Sequence, residues 1–310
     1  MTLDVIVVSY ESGSLMADCV RAALSLAGSR THVVLVDNAP GDGAGAAAAA
    51  VASRCTVIEN ERNRGYAAAV NQGIASCDGE LVLLLNPDIS SVRGDLREIV
   101  GAFRQDPRLA ALTPLLVAPG GRPERPGRRE PGPFDFVAET LDLAARFPSW
   151  QRPKRFHMLD LEDDGPQIVD AATGACLFLR RAALEAVGPF DESFFVYWEE
   201  TDWLIRAKRL GWRTLFLPSV EAVHVSRGST NVSDDGMSLL LLEGQLTYAR
   251  KHFGPIVGTA LRGTLMTLDA LRWARGLAPG GAFRRETMRG RLRVHLTGRA
   301  PRPALASSRG

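Results

Sequence analysis

Short apolar runs alternate with helical periodicity through the first 90 residues. Asp4–Ser9 is an almost unbroken apolar run, the signature of a parallel strand buried on both faces. Ser14–Leu26 repeats its apolar side chains at helical spacing, with Ser12 or Ser14 placed to cap it. His32–Val36, Thr56–Glu59 and Glu80–Leu85 read as three more strands. The Ala-rich stretch Ala46–Arg54 and Tyr66–Ser76 read as helices. This β-α-β-α-β-α-β order predicts an α/β fold, a three-layer sandwich around a mostly parallel sheet with right-handed crossovers. Ligands of such sheets bind beyond the carboxyl ends of the strands.

The pattern loosens further along. Leu96–Phe103 reads as a helix and Leu109–Val117 as a strand. The Pro/Gly/Arg-rich stretch Ala118–Pro133 is long for a loop in a compact domain, which suggests a functional one. Phe134–Phe147 is amphipathic and residues 148–166 are irregular. Cys176–Leu179 and Arg213–Leu217 read as strands, with a helix from Glu199 to Leu210 stopped by Gly211. Ser226–Asp235 has the composition of a flexible loop. Met237–Phe253 and Ile256–Ala274 are predicted helices, followed by a basic tail. The expected organisation is a domain over 1–235, a helical pair over 236–278 and a flexible tail over 279–310.

Composition narrows the class. A 45% hydrophobic, 23% charged chain of 310 residues is ordinary for a folded domain, and a net charge of +2 argues against a nucleic-acid partner. Cys19, Cys55, Cys77 and Cys176 show no C-x-x-C spacing, so they read as small buried side chains of a reducing compartment. With neither a leader pattern nor a spanning apolar run, a cytoplasmic location is expected.

The candidate chemistry gathers at strand ends and in one cluster. Ser9-Tyr10-Glu11, Asp37-Asn38 and Asn86-Pro87-Asp88 end the first, second and fourth strands. Asp88 after a fixed turn suits a divalent cation held jointly with phosphate, while Asn-Pro-Asp is also plain turn chemistry. Asp37-Asn38 reads equally as a base or ribose contact and as an Asx turn. Residues 190–203 hold five carboxylates and six aromatics. The helix dipole accounts for one or two acids at a helix start, but not for Phe194, Phe195, Tyr197 and Trp198 beside them. Flat apolar faces with a general base of raised pKa are what a sugar site needs. Glu199, Glu200 and Asp202 are the candidate bases, although Asp202 also stands at i, i+4 from Arg206 and pairs with it in the plainer reading.

Taken in order, Val7-Val8-Ser9-Tyr10, Val36-Asp37-Asn38, Asn63-Arg64-Gly65-Tyr66 with Asn71, Leu85-Asn86-Pro87-Asp88, Gly174 with Arg180-Arg181, Gly188-Pro189-Phe190-Asp191-Glu192, Glu199-Glu200-Thr201-Asp202 and His224 resemble the inverting family 2 glycosyltransferases, which have the Rossmann-like GT-A fold. Within that family the nearest resemblance is to bacterial rhamnosyltransferases that use dTDP-L-rhamnose. The resemblance implies a nucleotide-sugar site within 1–117 and an acceptor and catalytic part over 118–235. It gives donor contacts to Ser9, Tyr10, Glu11, Asp37, Asn38, Asn63, Arg64, Gly65, Asn71, Asn86, Pro87 and Asp88. It places Mg²⁺ or Mn²⁺ on Asp88 and His224, and acceptor contacts on Gly174, Trp198 and Glu199. The usual base maps to Glu200, a Glu where the family has Asp. The implied acceptor is a glycan or a polyprenyl-diphosphate-linked saccharide of the cell envelope.

A nicotinamide-dependent oxidoreductase is the rival on the same kind of sheet, but its G-x-G-x-x-G is missing after the first strand. A UDP-sugar donor and a non-catalytic sugar-binding role remain as alternatives. Ile256, Leu261, Leu265, Leu268, Leu271 and Leu277, with Arg262, Arg272 and Arg275 and the arginines of the tail, read either as an interfacial membrane helix on the inner face of the cell membrane or as a helix packed on the domain or on a second subunit.

Overall fold

The computed structural model describes residues 1–29, 31–124, 126–158, 165–225, 234–274 and 285–302. The chain forms β1 (Leu3–Ser9), α1 (Gly13–Ala27), β2 (Val33–Asp37), α2 (Ala44–Val51), β3 (Cys55–Glu59), α3 (Tyr66–Ala75) and β4 (Leu81–Leu85). It continues with β5 (Ile89–Arg93), α4 (Leu96–Gln105), β6 (Leu109–Val117), β7 (Pro123–Glu124), β8 (Gly127–Arg128), α5 (Pro133–Thr140) and α6 (Leu143–Arg146). Then come β9 (Gln167–Val169), β10 (Ala171–Ala172), β11 (Cys176–Arg180), α7 (Arg181–Val187), α8 (Glu199–Arg209), β12 (Arg213–His224), α9 (Asp234–Ala274) and α10 (Arg285–Thr297).

One large sheet runs β3-β2-β1-β4-β11-β6-β12-β5. Its first half, β3 to β4, is parallel as the alternation predicts. Beyond β4 the sheet is mixed: β11 runs antiparallel to both β4 and β6, while β12 runs parallel to β6. The division near residue 117 is therefore one of sequence only, because β11 inserts between strands of the first part. Alternation along β1 splits its apolar run between two cores: Val5 and Val7 pack with α1, α2 and α4, and Ile6 and Val8 with α3, α8 and α9.

Several elements differ from the sequence reading. β5 is a polar edge strand, Ile-Ser-Ser-Val-Arg, with too little apolar signal to be read. β12 continues past the expected Leu217 because a register shift between Leu217 and Glu221 carries the strand across Pro218-Ser219. The expected Phe134–Phe147 helix breaks into α5 and α6 at Asp142, whose φ is 52°. Ser12 stands before α1, but its hydroxyl turns back to Ser9 Oγ (3.0 Å) and Tyr10 N (3.2 Å). The predicted helical pair is present as α9, broken at Gly254 (φ 79°) before Pro255.

The C-terminal expectations need the largest correction. The tail is helical over Arg285–Thr297 and docked through residue 302. Arg291 Nε (2.9 Å) and His295 Nε2 (2.8 Å) meet the buried Asp269 carboxylate, and Arg302 forms a two-pronged pair with Glu243 at 2.6 and 2.8 Å. Leu261 and Leu265 of the expected membrane stripe lie in the core, and Arg262 and Arg272 donate to the carbonyls of His295 and Thr140. The helices thus pack on the domain through Leu261 and Leu265, whose burial removes apolar area from water, while Ile256 and Leu271 of the same stripe stay exposed. Leu277, Arg275, Arg284 and nearly all of Ser226–Asp235 fall outside the described residues. Among the described residues no helix is long and apolar enough to cross a membrane.

Candidate active site

A cavity of about 180 Å³ opens at the carboxyl ends of β1, β2 and β4. Tyr10, Asn38, Asn63, Gly65, Asn86 and Pro87 line it, so six of the sequence-predicted donor residues meet there. Phe195, Val196 and Tyr197 close one side, and Met237 and Leu240 of α9 another. Ser9 and Asp37 are buried and do not line it, and Arg64 is exposed.

The polar residues of this rim first build the rim. Asp37 Oδ1 accepts from Ala39 N at 2.9 Å, the Asx turn foreseen as its plainer role. Burial raises its pKa, with Asp42 and Glu59 adding to the shift against the Ala39 hydrogen bond. Asn38 donates to the Gly65 carbonyl (3.3 Å) and accepts from Asn60 (2.9 Å), and Asn63 Oδ1 caps Gly65 N at 2.9 Å. Gly65 has φ 88°, and a Cβ there would lie 2.5 Å from the Phe195 carbonyl oxygen. Only glycine lets this loop touch the aromatic turn, where Tyr66 N donates to the same oxygen at 2.6 Å. Asn71 sits away from the cavity: its amide exchanges hydrogen bonds with Phe190 (both 2.9 Å) and reaches Glu192, tying α3 to the segment before α8. Glu11 holds a left-handed φ of 53° beside Tyr10.

Asp88 follows β4 and His224 ends β12, so two distant strands deliver them to one place. Asp88 Oδ2 and His224 Nε2 are 3.3 Å apart, and Val225 N donates to the Asp88 carbonyl at 2.8 Å. The hydrogen bond to Asp88, more than burial opposes it, raises the His224 pKa. A carboxylate and an imidazole suit Mg²⁺ or Mn²⁺ completed by phosphate and water oxygens. Among the described residues no group of three His, Cys, Asp or Glu side chains forms a full metal cage.

Facing this pair is the first turn of α8. Tyr197 and Trp198 take successive left-handed φ values of 69° and 75°. Such backbone costs about 1–3 kcal/mol per residue and persists only where packing enforces it. Gly244 of α9 is part of that packing, because a Cβ there would stand 2.7 Å from the Tyr197 carbonyl oxygen. The strained turn delivers Glu199 and Glu200. Burial raises the Glu199 pKa well above the usual carboxylate range, and Glu200 adds to the shift through its charge and a hydrogen bond. Burial also raises Glu200, but hydrogen bonds from Gly174 N (3.4 Å) and from Glu199, with the charge of Arg128, restrain the rise. Of the two, Glu199 is shifted further upward and so holds a proton the more firmly. Oε2 of each residue is enclosed without a hydrogen-bond partner. Gly174 lies against Glu200 and the Tyr66 hydroxyl, 3.7 Å from either to an added Cβ.

Two predicted residues are placed elsewhere. Both oxygens of Asp202 are committed, to Arg206 (2.9 Å), Lys251 (2.8 Å) and His252 (2.7 Å). Burial would raise its pKa, but these bonds and charges hold it below the usual value. Asp202 thus joins α8 to α9, the plainer reading of its i, i+4 spacing. Trp198 is only 8% exposed and stacks on Phe136 (5.0 Å) and Phe156 (6.3 Å), so its ring supports the turn and offers no open platform for a sugar.

Other side chains at the site carry little signal in the sequence. Tyr66 donates to Asn86 Oδ1 at 3.3 Å, and burial followed by the charges of Glu199, Glu200 and Asp88 raises its pKa well above the usual value. Its phenol therefore stands among Asp88, Glu199 and Glu200. Its place in Asn63-Arg64-Gly65-Tyr66 was the available signal. Arg128, in the long loop singled out at 118–133, had none of its own. Arg302 stacks over Phe195 with 4.1 Å to the ring centre, so the segment that follows α10 braces the cavity wall.

Comparison with known proteins gives the family and the fold. The family described as Glycosyl transferase family 2 matches residues 4–188, more than half of the chain. The N-acetylglucosaminyl-diphospho-decaprenol L-rhamnosyltransferase of Mycobacterium tuberculosis is 31% identical over 300 residues, covering 88% of this chain and 95% of that protein. Among solved structures, the mannosyltransferase PcManGT of Pyrobaculum calidifontis, in complex with GDP-Man and Mn²⁺, has a TM-score of 0.51 at 17% identity, over 96% of this chain and 85% of that one. GalNAc-T7 with UDP, GalNAc and Mn²⁺ has a TM-score of 0.54 at 13% identity, over 89% and 57%. These two likenesses show the fold.

Proposed function

The chain belongs to glycosyl transferase family 2, and from that premise we propose that it is a metal-dependent inverting rhamnosyltransferase. The donor is dTDP-L-rhamnose and the acceptor a hydroxyl of a saccharide carried on a polyprenyl diphosphate, on the inner face of the membrane. One observation carries the mechanism: Asp88, paired with His224, and the neighbours Glu199 and Glu200 all bear on Tyr66, which lines the cavity beyond the β1, β2 and β4 ends. The rhamnosyl and lipid-linked parts of the reading rest on the likeness to the mycobacterial rhamnosyltransferase.

In this reading the nucleoside enters between Tyr10, Asn38 and Asn63, and the sugar lies toward Tyr66 and Tyr197. Asp88 and His224 hold the divalent cation, which when bound stabilises negative charge on the departing diphosphate. Glu200 removes the proton of the acceptor hydroxyl. The acceptor oxygen then bonds to the anomeric carbon as the bond from that carbon to the diphosphate oxygen breaks, inverting the configuration. A β-linked donor gives an α-rhamnoside. Protonated Glu199 orients Glu200 by a hydrogen bond, and the Gly174 amide does the same from the other side.

The test is a panel of dTDP-, UDP- and GDP-sugars, read by thermal shift and by turnover, with and without Mn²⁺. Stabilisation and turnover are expected with dTDP-L-rhamnose and metal, and neither in excess chelator. Another donor preferred by about tenfold, some 1.4 kcal/mol, overturns the sugar assignment. Full turnover after verified metal removal overturns the metal role.

A further inference from the structure

We propose that the end of the molecule built by α10 and the last turns of α9 is a docking face for an anionic lipid bilayer. The inference deepens the reading of a lipid-carried acceptor and rests on it for its purpose, though not for its observations. A groove of about 440 Å³ opens there between Met266, Ala270 and Trp273 of α9 and Met288, Arg289 and Leu292 of α10. Trp273 is 49% exposed and Leu296, one turn beyond Leu292, is 67% exposed. Leu271 is exposed as well. Arg272 fixes this end beside the α5–α6 connection by donating to the Thr140 carbonyl, and on the segment that follows Phe147 and Trp150 are exposed too. Large apolar side chains gathered at one end of a folded chain mark an interaction surface.

The charges decide what covers it. The outward face of α10 repeats Arg289, Leu292, Arg293 and Leu296 at helical spacing, all exposed. From Thr287 to Arg302 the chain has no acid at all. The acid lining the groove, Asp269, is ion-paired with Arg291 and hydrogen-bonded with His295. A second copy joined about a two-fold axis would set these arginines against themselves. A bilayer satisfies both parts of the pattern. Its acyl region takes Leu292, Leu296 and Trp273, and its phosphates take Arg289 and Arg293, whose stems lie along the apolar face. Of the stripe on α9 read from the sequence, Leu261 and Leu265 are already buried in the core, and Leu271 belongs to this face.

The experiment is flotation of the full chain with vesicles of phosphatidylcholine containing about one-quarter phosphatidylglycerol, at low and high salt. Two double variants at exposed positions accompany it, Arg289→Gln with Arg293→Gln and Leu292→Ser with Leu296→Ser. The wild-type chain is expected to float with anionic vesicles at low salt and to bind pure phosphatidylcholine far more weakly. At about fivefold per arginine the first pair loses about 25-fold in affinity, and binding weakens with salt. The second pair loses about tenfold or more. The proposal is overturned if the wild type does not float, if both variants bind like wild type, or if charge on the vesicle makes no difference. It is also overturned if the leucine pair, without lipid, converts a dimer to a monomer on a sizing column. Transfer to a short soluble acceptor is read on the same preparations. Absent transfer with face-dependent flotation removes the proposed function and leaves the docking face standing; normal transfer without flotation does the reverse.

Discussion

The mouth of the cavity and the joint between α8 and α9 lie on one helical turn and treat their carboxylates in opposite ways. Glu199 and Glu200 face each other with enclosed oxygens and only a backbone amide and the more distant charge of Arg128 to help, so burial raises both pKa values. Asp202, two residues on, is as deeply enclosed but has Arg206, Lys251 and His252 around it, and its pKa is lowered. Burial alone does not make a functional acid. A carboxylate denied counter-ions is poised to exchange protons, whereas one surrounded by cations is fixed in charge and serves as a joint.

The sharpest way to break the comparison is Glu200→Gln. Turnover is expected to fall by about 10²–10⁴-fold with donor affinity unchanged, because only proton abstraction is lost. Binding of the nucleotide sugar and single-turnover rates on one preparation check it. Retained turnover there, with loss in Glu199→Gln, would exchange the two roles.

Asp202→Asn should act on stability. Removing one partner of a buried ionic group costs about 3–5 kcal/mol, and the lower end is expected because Lys251 and Arg206 keep some access to water. The Asp202 pKa is lower in the folded chain, so its stabilisation is complete above the ordinary carboxylate value and fades as pH falls through the depressed one. Denaturant curves of the variant and wild type should therefore converge in acid, with turnover per folded molecule little changed.

The smallest effect is expected from Glu199→Gln. The amide can still donate to Glu200, so activity drops by only about fivefold. The stability trend sharpens the contrast. The folded pKa of Glu199 is raised, so the wild type loses stability as pH climbs from the ordinary carboxylate value through the raised one. The variant lacks that loss and should gain thermal stability over wild type with increasing pH, the reverse of Asp202→Asn.

The parallel half of the sheet was legible because its strands are unbroken apolar runs ending at turn residues. The acidic-aromatic cluster was legible because its composition has no simple structural use. The division of labour inside the cluster was not, since it depends on which side chains α9 brings from about 50 residues away, Lys251 and His252 reaching back to Asp202. Trp198 misled for a related reason: a sugar platform and a core ring look alike until Phe136 and Phe156 are seen stacked against it. Asn71 and Asn38 illustrate the ambiguity of amides, which serve loops and ligands with the same atoms. α10 and the residues after it were hidden by arginines, Arg291 and Arg302, whose partners Asp269 and Glu243 lie on α9.

The insertion of β11 between β4 and β6 orders events while the chain is made. Until residue 180 has emerged, β4 and β6 each present an apolar edge with no strand between them, the kind of edge that pairs with other chains. When β11 arrives, two consecutive arginines fasten it to both neighbours. Arg180 donates to the carbonyls of Phe103, Asp106 and Leu109 at the α4–β6 corner, and Arg181 to those of Ile74, Cys77 and Gly79 at the α3–β4 corner. Closing loops of that length is slow compared with forming the first four strands. Glu199 and Glu200 follow within about 20 residues of that seam. Ribosome-bound chains released before and after it should differ abruptly in aggregation, and the capacity for chemistry should be born with the closed sheet.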